Sequence, residues 1–427
     1  MGNMIVAQLR TPRLIAYAIV VIPLILLALL QSPDWRSSLA AFDAASNRLK
    51  VAEKPGYGSQ VAGRKPELLY VLDSNMMKAD SQILLIDPQS GKSLRSFKAH
   101  RAPDFILSKD GSRLYIDSLL ESSFGGVLEV VDTATGQTLA SVASPDHWTC
   151  TLHIYDTNMA LSHDGKWLYV FKHRQEDNAY YIAIFDTVNN RFLPGNAMLP
   201  DCVAGEITPS PDNNLHITVT CHATIDIRRL NFNEDGSSAG TVERSEPRKA
   251  RLAAKRPSRK LGIDDYPAVT LPISDSKAAI ITSNGDTFDF DRANMITTFS
   301  HNLDAAHNRD PMSSTWLSNR WIRPQPIHYS PGDQLVYFGT GKVSYKNQGR
   351  SDLFDQVEVI KSKTMTHIRS ITPPRTFFSL AVSEDGKTIY TVSHDDATVT
   401  LIDSSTSAEL KVIKNVGVSP IQAIVSR

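Results

Sequence analysis

The sequence predicts an all-β fold: a seven-bladed β-propeller closed by strands from both ends of its repeat region and preceded by one N-terminal transmembrane helix. Three observations predict it. A strand–turn–strand phrase recurs along the chain, the repeat region opens one strand short and ends one strand over, and an uncharged apolar run precedes the whole.

The phrase is clearest at the C-terminal end, from Phe377 to Arg427. Short apolar runs at Phe378–Val382, Thr388–Val392 and Thr398–Ile402 are rich in β-branched and aromatic residues and are bounded by Asp, Gly and Ser, the composition of short strands and turns. Glu384-Asp385-Gly386 reads as a hairpin turn, with Gly supplying the positive φ. Glu409–Ile413 completes a four-stranded meander, one blade in outline. The first half recurs as LSKDGSRLYI from Leu107, LSHDGKWLYV from Leu161, and more weakly from Pro209, Leu271 and Tyr329. The second half recurs from Ile83, Leu128, Ile182 and Val357. The first halves are spaced by roughly fifty to sixty residues, a period of radial or solenoid repetition. Asp110, Asp164 and Asp385, which tempt as catalytic carboxylates, are best explained as turn formers.

The first unit starts at Glu67 with a run, Leu68–Leu72, that has no strand before it, and the chain carries a spare run, Pro420–Val425. Laying the spare beside Leu68–Leu72 completes a seventh blade and removes a free sheet edge. The propeller is therefore expected over residues 67–427.

Ahead of it, residues 1–13 carry Arg10 and Arg13, and Leu14–Leu30 is an uncharged apolar run at the short end of the membrane-spanning range. Basic residues before the run stay in the cytoplasm and send the remainder outside. Two readings stand: an uncleaved anchor, or a cleaved signal peptide. Both export the body, to the outer face of a bacterial inner membrane or as a soluble periplasmic protein. Residues 31–66 read as a linker, either a stalk with a short helix near Ser37–Val51 or plain disorder.

Lys plus Arg equals Asp plus Glu at 45 each, so no net field points to nucleic acid. The interruption Asn231–Tyr266 contains a basic stretch, 244–260, that reads either as a docking arm for an acidic partner or lipid headgroups, or as a solvated insertion. A second insertion, His301–Arg323, carries Trp316 and Trp321. Cys202 and Cys221 flank a predicted hairpin, close enough to bridge in an oxidising compartment; two buried thiols are the alternative. Cys150 is left over and expected to be buried.

Catalytic motifs are missing. There is no His-Glu-x-x-His, P-loop lysine motif or Gly-x-Ser-x-Gly elbow, and Gly56-Tyr57-Gly58 lies in the linker. His147 and His153 flank Cys150 without a recognised ligand spacing, and His301 and His307 share a predicted loop. No catalytic, cofactor-binding or metal-binding residue is therefore assigned in this chain.

YVLDSNMMKADSQILLID from Tyr70, LPDCVAGEITPSPDNNLHITVTCHATI from Leu199, WIRPQPIHYSPGDQLVYF from Trp321 and the ending GVSPIQAIVSR together resemble the heavy chain of the quinoprotein amine dehydrogenases. The resemblance implies a periplasmic scaffold that binds a small, disulfide-rich light chain in a hetero-oligomer. That light chain carries the tryptophan tryptophylquinone cofactor and the catalytic base. Electrons then pass to a copper protein or cytochrome. The Cys202–Cys221 pair looks like an intrablade disulfide of that family. By position, Met77 falls where the family puts an aromatic wall of the substrate channel, and a thioether there alters the wall's shape. The anchor and the basic insertion depart from the family pattern. Two other functions stand beside this one. One is a tethered propeller that scaffolds other envelope proteins without amine chemistry. The other is a lactonase-type hydrolase, which needs a metal or acid cluster at the central channel that the sequence does not reveal.

Overall fold

The computed structural model divides the chain into two units, Met1–Pro66 and Glu67–Arg427. It describes most of residues 67–426, and outside the description lie residues 1–66, residue 427 and several connections, the longest being 246–266, 303–319 and 343–353. The expected anchor at 14–30, the linker and the Gly56–Gly58 segment lie outside the described residues.

The described residues are all-β and form antiparallel sheets, seven of them, numbered here 1 to 7 in chain order. The C-terminal run behaves as its composition requires: Ser379–Val382, Thr388–Ser393, Thr398–Asp403 and Glu409–Lys414 pair consecutively as sheet 7. Both sides of the sheet are covered: Ile389 and Ile402 pack toward sheet 6, Val392 and Val399 toward sheet 1, and all four are fully buried. Sheet 1 is made from both ends of this unit. Pro420–Val425 pairs antiparallel with Leu69–Asp73, setting Leu69 against Val425 and Val71 against Ala423, and Ser81–Asp87 and Lys92–Ala99 continue outward. The closure is held by more than its ladder. Asp73 accepts the backbone N–H groups of Val418 (2.8 Å) and Ser419 (2.6 Å) and the Gln82 amide (3.0 Å). Gly417 sits at φ +79°, and a Cβ there would lie 2.2 Å from the Asp73 carboxyl carbon, so only glycine lets the chain turn so close.

In a meander, the turn between the first two strands and the turn between the last two fall on the same face. Here they bond to each other: Thr133 N–H to Ser112 carbonyl (3.0 Å), Thr187 N–H to Lys166 carbonyl (3.0 Å), Ser404 N–H to Lys387 carbonyl (2.8 Å). Asp110 accepts from Ser108 Oγ (2.6 Å) and from the backbone of Ser112 (3.0 Å). Asp164 and Asp385 repeat this with Ser162 and Lys166, and with Ser383 and Lys387. Each turn ends in a glycine at positive φ, Gly111, Gly165 or Gly386. These aspartates are turn formers, as their spacing predicted.

Basic side chains on this face cross from sheet to sheet. Arg95 donates to the Thr133 carbonyl (3.1 Å), Arg113 to that of Thr187 (2.7 Å) and Lys411 to that of Gln89 (2.5 Å). In sheets 1, 2, 6 and 7 a register shift in the outer strand leaves Leu94, Leu139, Ile368 and Leu410 as the extra residue. A bulge re-aims the side chains around it: these four are exposed. In sheets 1 and 7 the residue that follows, Arg95 or Lys411, reaches the adjoining sheet.

Two expected interruptions are shorter than the sequence suggested. Ser238–Ser245 pairs with Asp226–Phe232 as the outer strand of sheet 4, so Arg244 stands in a ladder opposite Arg228. Its sequence, SAGTVERS, has no apolar alternation, because an outer strand needs only backbone pairing on one side. His301 lies in the strand Ile296–Asn302 and Trp321 in Arg320–Ser330. Trp316, His307 and the rest of the basic stretch lie outside the described residues.

Candidate functional site

Alternation along two strands of sheet 2 and one of sheet 3 assembles the main concentration of buried charge. In Arg113–Leu119, Leu114 and Ile116 pack toward sheet 1, so Tyr115 and Asp117 face sheet 3. In Trp167–Arg174, Tyr169 and Phe171 pack toward sheet 4, so Leu168, Val170 and Lys172 face sheet 2. A period of two therefore brings Lys172 against Asp117 inside the inter-sheet layer. Their ammonium and carboxylate are in contact, with side-chain exposures of 0% and 1%. The pairing offsets the cost of their burial, because burying an unpaired ion costs far more than burying a bonded one.

Asp104 joins them. It lies on the inner strand Arg101–Leu107, where it is the register partner of Asp117. The strand enters through an irregularity between Arg101 and Asp104, with Ala102 at φ +47°. Pro103, which has no N–H to donate, stands in this irregular stretch. Phe105 and Leu107 are buried against sheet 1, and Asp104 takes the opposite side, keeping partial contact with solvent. Its carboxylate accepts the Phe105 N–H at 2.7 Å. It also meets the Gln422 side chain of sheet 1 and the backbone of Asn158, just before the inner strand Met159–Leu161 of sheet 3. Three consecutive sheets thus contribute to one carboxyl.

Removal from bulk water pushes Asp104 up to about 7, and the Asp117 charge adds to that push against the three hydrogen bonds. Burial also raises Asp117, with the Lys172 ammonium pulling it back. A partly exposed carboxyl that changes charge near neutrality beside a committed ion pair can take up or release a proton, which marks it as a candidate site. The missed signal was a charged residue directly following an apolar run within a strand, Asp117 after LYI in RLYIDSL and Lys172 after LYVF in WLYVFKHR.

A second cluster occupies the outer strands of sheet 6. Glu358, fully buried, accepts from Thr340 Oγ1 (3.1 Å) and Ser370 Oγ (2.5 Å) and lies 2.9 Å from His367 Nε2. Serine, histidine and glutamate suggest a triad, but Ser370 and Glu358 address the same ring nitrogen, Ser370 at 3.3 Å. A relay needs the two on opposite nitrogens, so this cluster is a hydrogen-bonded structural element around the buried Glu358.

Of the residues singled out from the sequence, Met77, His147 and His153 lie outside the described residues. Cys202 is fully buried and disulfide-bonded. Cys221 closes the strand His216–Cys221, opposite Gly205, and Cys150 is the register partner of Lys172. Among the described residues, no group of three or more His, Cys, Asp and Glu side chains is arranged to hold a metal ion, and no helix is long and apolar enough to cross a membrane.

No protein-family model matches this chain, and no curated protein matches it. Solved structures do. A functionally unknown protein from Desulfotomaculum acetoxidans aligns with a TM-score of 0.56 at 11% identity, covering 84% of this chain and 99% of that one. The periplasmic gluconolactonase of Pseudomonas aeruginosa aligns with a TM-score of 0.55 at 13% identity, covering 84% and 99%. A protein from Lactobacillus plantarum gives 0.54 at 11% identity, covering 85% and 100%. The structural neighbours are β-propeller proteins, and at these identities the likeness carries the fold and no activity.

Proposed function

We propose that this chain is a seven-bladed propeller scaffold of the cell envelope, each sheet one blade, built like the heavy chain of a quinoprotein amine dehydrogenase. In this reading it binds a small quinone-bearing light chain on one face and shapes amine entry, with Met77 in the channel wall. The tryptophan tryptophylquinone and the catalytic base reside on that partner. Leu14–Leu30 tethers the propeller to the inner membrane, or is cut to leave it soluble in the periplasm, and Cys221 is the disulfide partner of Cys202. The observation that carries the scaffold reading is the strand-level closure of sheet 1 by Pro420–Val425 together with the side-chain bridges between successive sheets. That construction suits a stiff docking body. The amine chemistry rests on the sequence resemblance alone.

The test is recovery of the tagged full-length chain from its own membranes in mild detergent, followed by mass spectrometry. A small Cys-rich partner with crosslinked tryptophans is expected. Other envelope proteins in its place would leave the scaffold and remove the amine chemistry. Amine oxidation by the purified chain alone would overturn both.

A second reading, lactone hydrolysis, is favoured by the Asp104–Asp117–Lys172 cluster, since a carboxyl poised near neutrality is what a general acid or base needs. It is checked by assaying the purified chain on a gluconolactone against Asp104→Asn. No difference between the two proteins removes it.

A further inference from the structure

We propose that Asp104 is a proton-operated clasp on the seam where the inner strands of sheets 1, 2 and 3 meet, closed when protonated and loosened when ionised. The geometry carries this. Asp104 meets Gln422 of sheet 1, Asn158 of sheet 3 and Asp117 of its own sheet. Gln422 belongs to Pro420–Val425, the strand that closes sheet 1. The charge of this one side chain therefore bears directly on the closing strand.

The charged groups around it are few among the described residues. Its neighbouring strand presents Asp117, and sheet 3 presents Lys172, already committed to Asp117. The closing strand, PIQAIV, and residues 158–161, NMAL, bring only neutral side chains. Arg101, on the same strand, is exposed. An ionised Asp104 thus faces a like charge with no free cation beside it in the described structure, whereas a neutral Asp104 meets no such repulsion. Hydrogen bonds from Phe105, Gln422 and Asn158 offset part of the difference and do not reverse it.

Any opened state that hydrates the carboxyl returns it to ordinary acidity. The closed state binds the proton more tightly, so closure is favoured most at low pH and loses ground as pH rises toward and through about 7. Between pH 6 and pH 8, linkage raises the local opening constant roughly tenfold.

The experiment is hydrogen exchange of the full chain at pH 6 and pH 8, corrected for the intrinsic pH dependence of amide exchange. In the wild-type protein, amides of residues 105, 158–161 and 421–424 are expected to open roughly tenfold more at pH 8, while sheet 7 strands stay unchanged. In Asp104→Asn the excess should vanish. Equal pH dependence in the two proteins, or an increase spread over all sheets, overturns the proposal. If Asp104→Asn does not fold, Gln422→Leu decides. It removes a donor to the ionised carboxylate, so the pH midpoint of seam opening must move upward, and an unmoved midpoint overturns the clasp.

Discussion

The two faces of the sheet assembly are built on opposite plans. On one, Asp110, Asp164 and Asp385 each lock a turn of a few residues, and arginine and lysine side chains carry the bonding to the next sheet. The serine and backbone N–H groups that these aspartates accept from lie within a few residues. On the other, polar side chains from different sheets converge: the charges of Asp104 and Asp117 from sheet 2 and Lys172 from sheet 3, and the neutral amide of Gln422 from sheet 1. The first plan tolerates the loss of a member because water replaces it. The second does not tolerate the loss of Lys172 or Asp117, because the member left behind is a buried ion without its partner. The same residue type, aspartate, is therefore held well below its usual acidity range on one face and pushed to about 7 on the other.

The sharpest way to break the comparison is Lys172→Ala. It strands the Asp117 carboxylate without its cation and should cost about 3–5 kcal/mol in chemical denaturation. The double change Lys172→Met with Asp117→Leu should recover most of that loss, since an apolar pair of similar volume removes both charges. A single variant as stable as wild type would show that the pair is not buried as described. Gly417→Ala comes next. The left-handed backbone and the approach to Asp73 predict a loss on the order of 1–3 kcal/mol, read as a lowered melting temperature, with weaker pairing of Pro420–Val425.

Asp104→Asn tests the sign of the charge effect. A carboxyl raised in the folded state stabilises fully below its unfolded pKa, and that contribution is lost as pH rises through about 7. The asparagine variant should therefore gain melting temperature relative to wild type at pH 8 and lose that advantage at pH 5. On the turn face the sign reverses. Asp110, drawn down to about 2 by Ser108 and Ser112, contributes above its unfolded pKa and loses that contribution as pH falls toward 2. Asp110→Ala should cost only about 0.5–1.5 kcal/mol at pH 7, and less at pH 3. Equal pH profiles for the two aspartate variants would erase the distinction between the faces.

Legibility followed the same division. Turns such as Ser108–Gly111 could be read because a short polar side chain bonding its own backbone two residues on is a local event. The strand edges of sheet 7 were readable to within about a residue or two for the same reason. The outer strand Ser238–Ser245 was not readable. Its pairing comes from a neighbour's backbone, and its side chains carry no alternation. The candidate site was hidden in another way: Asp117 and Lys172 are fifty-five residues apart, and nothing in either strand names the other.

By itself, the sequence determined the repeating strand–turn unit, the aspartates and glycines that cap it, and the supply of a closing strand, Pro420–Val425, to a first unit that lacked one. Those follow from alternation and turn chemistry acting over a few residues. Tertiary structure alone decided which charges share a low-dielectric layer. Three sheets must be stacked in register before Lys172 meets Asp117 and before Gln422 and Asn158 reach Asp104. An ionisable group's acidity is set by what lies around it in space, and for these residues that surrounding comes from distant parts of the chain.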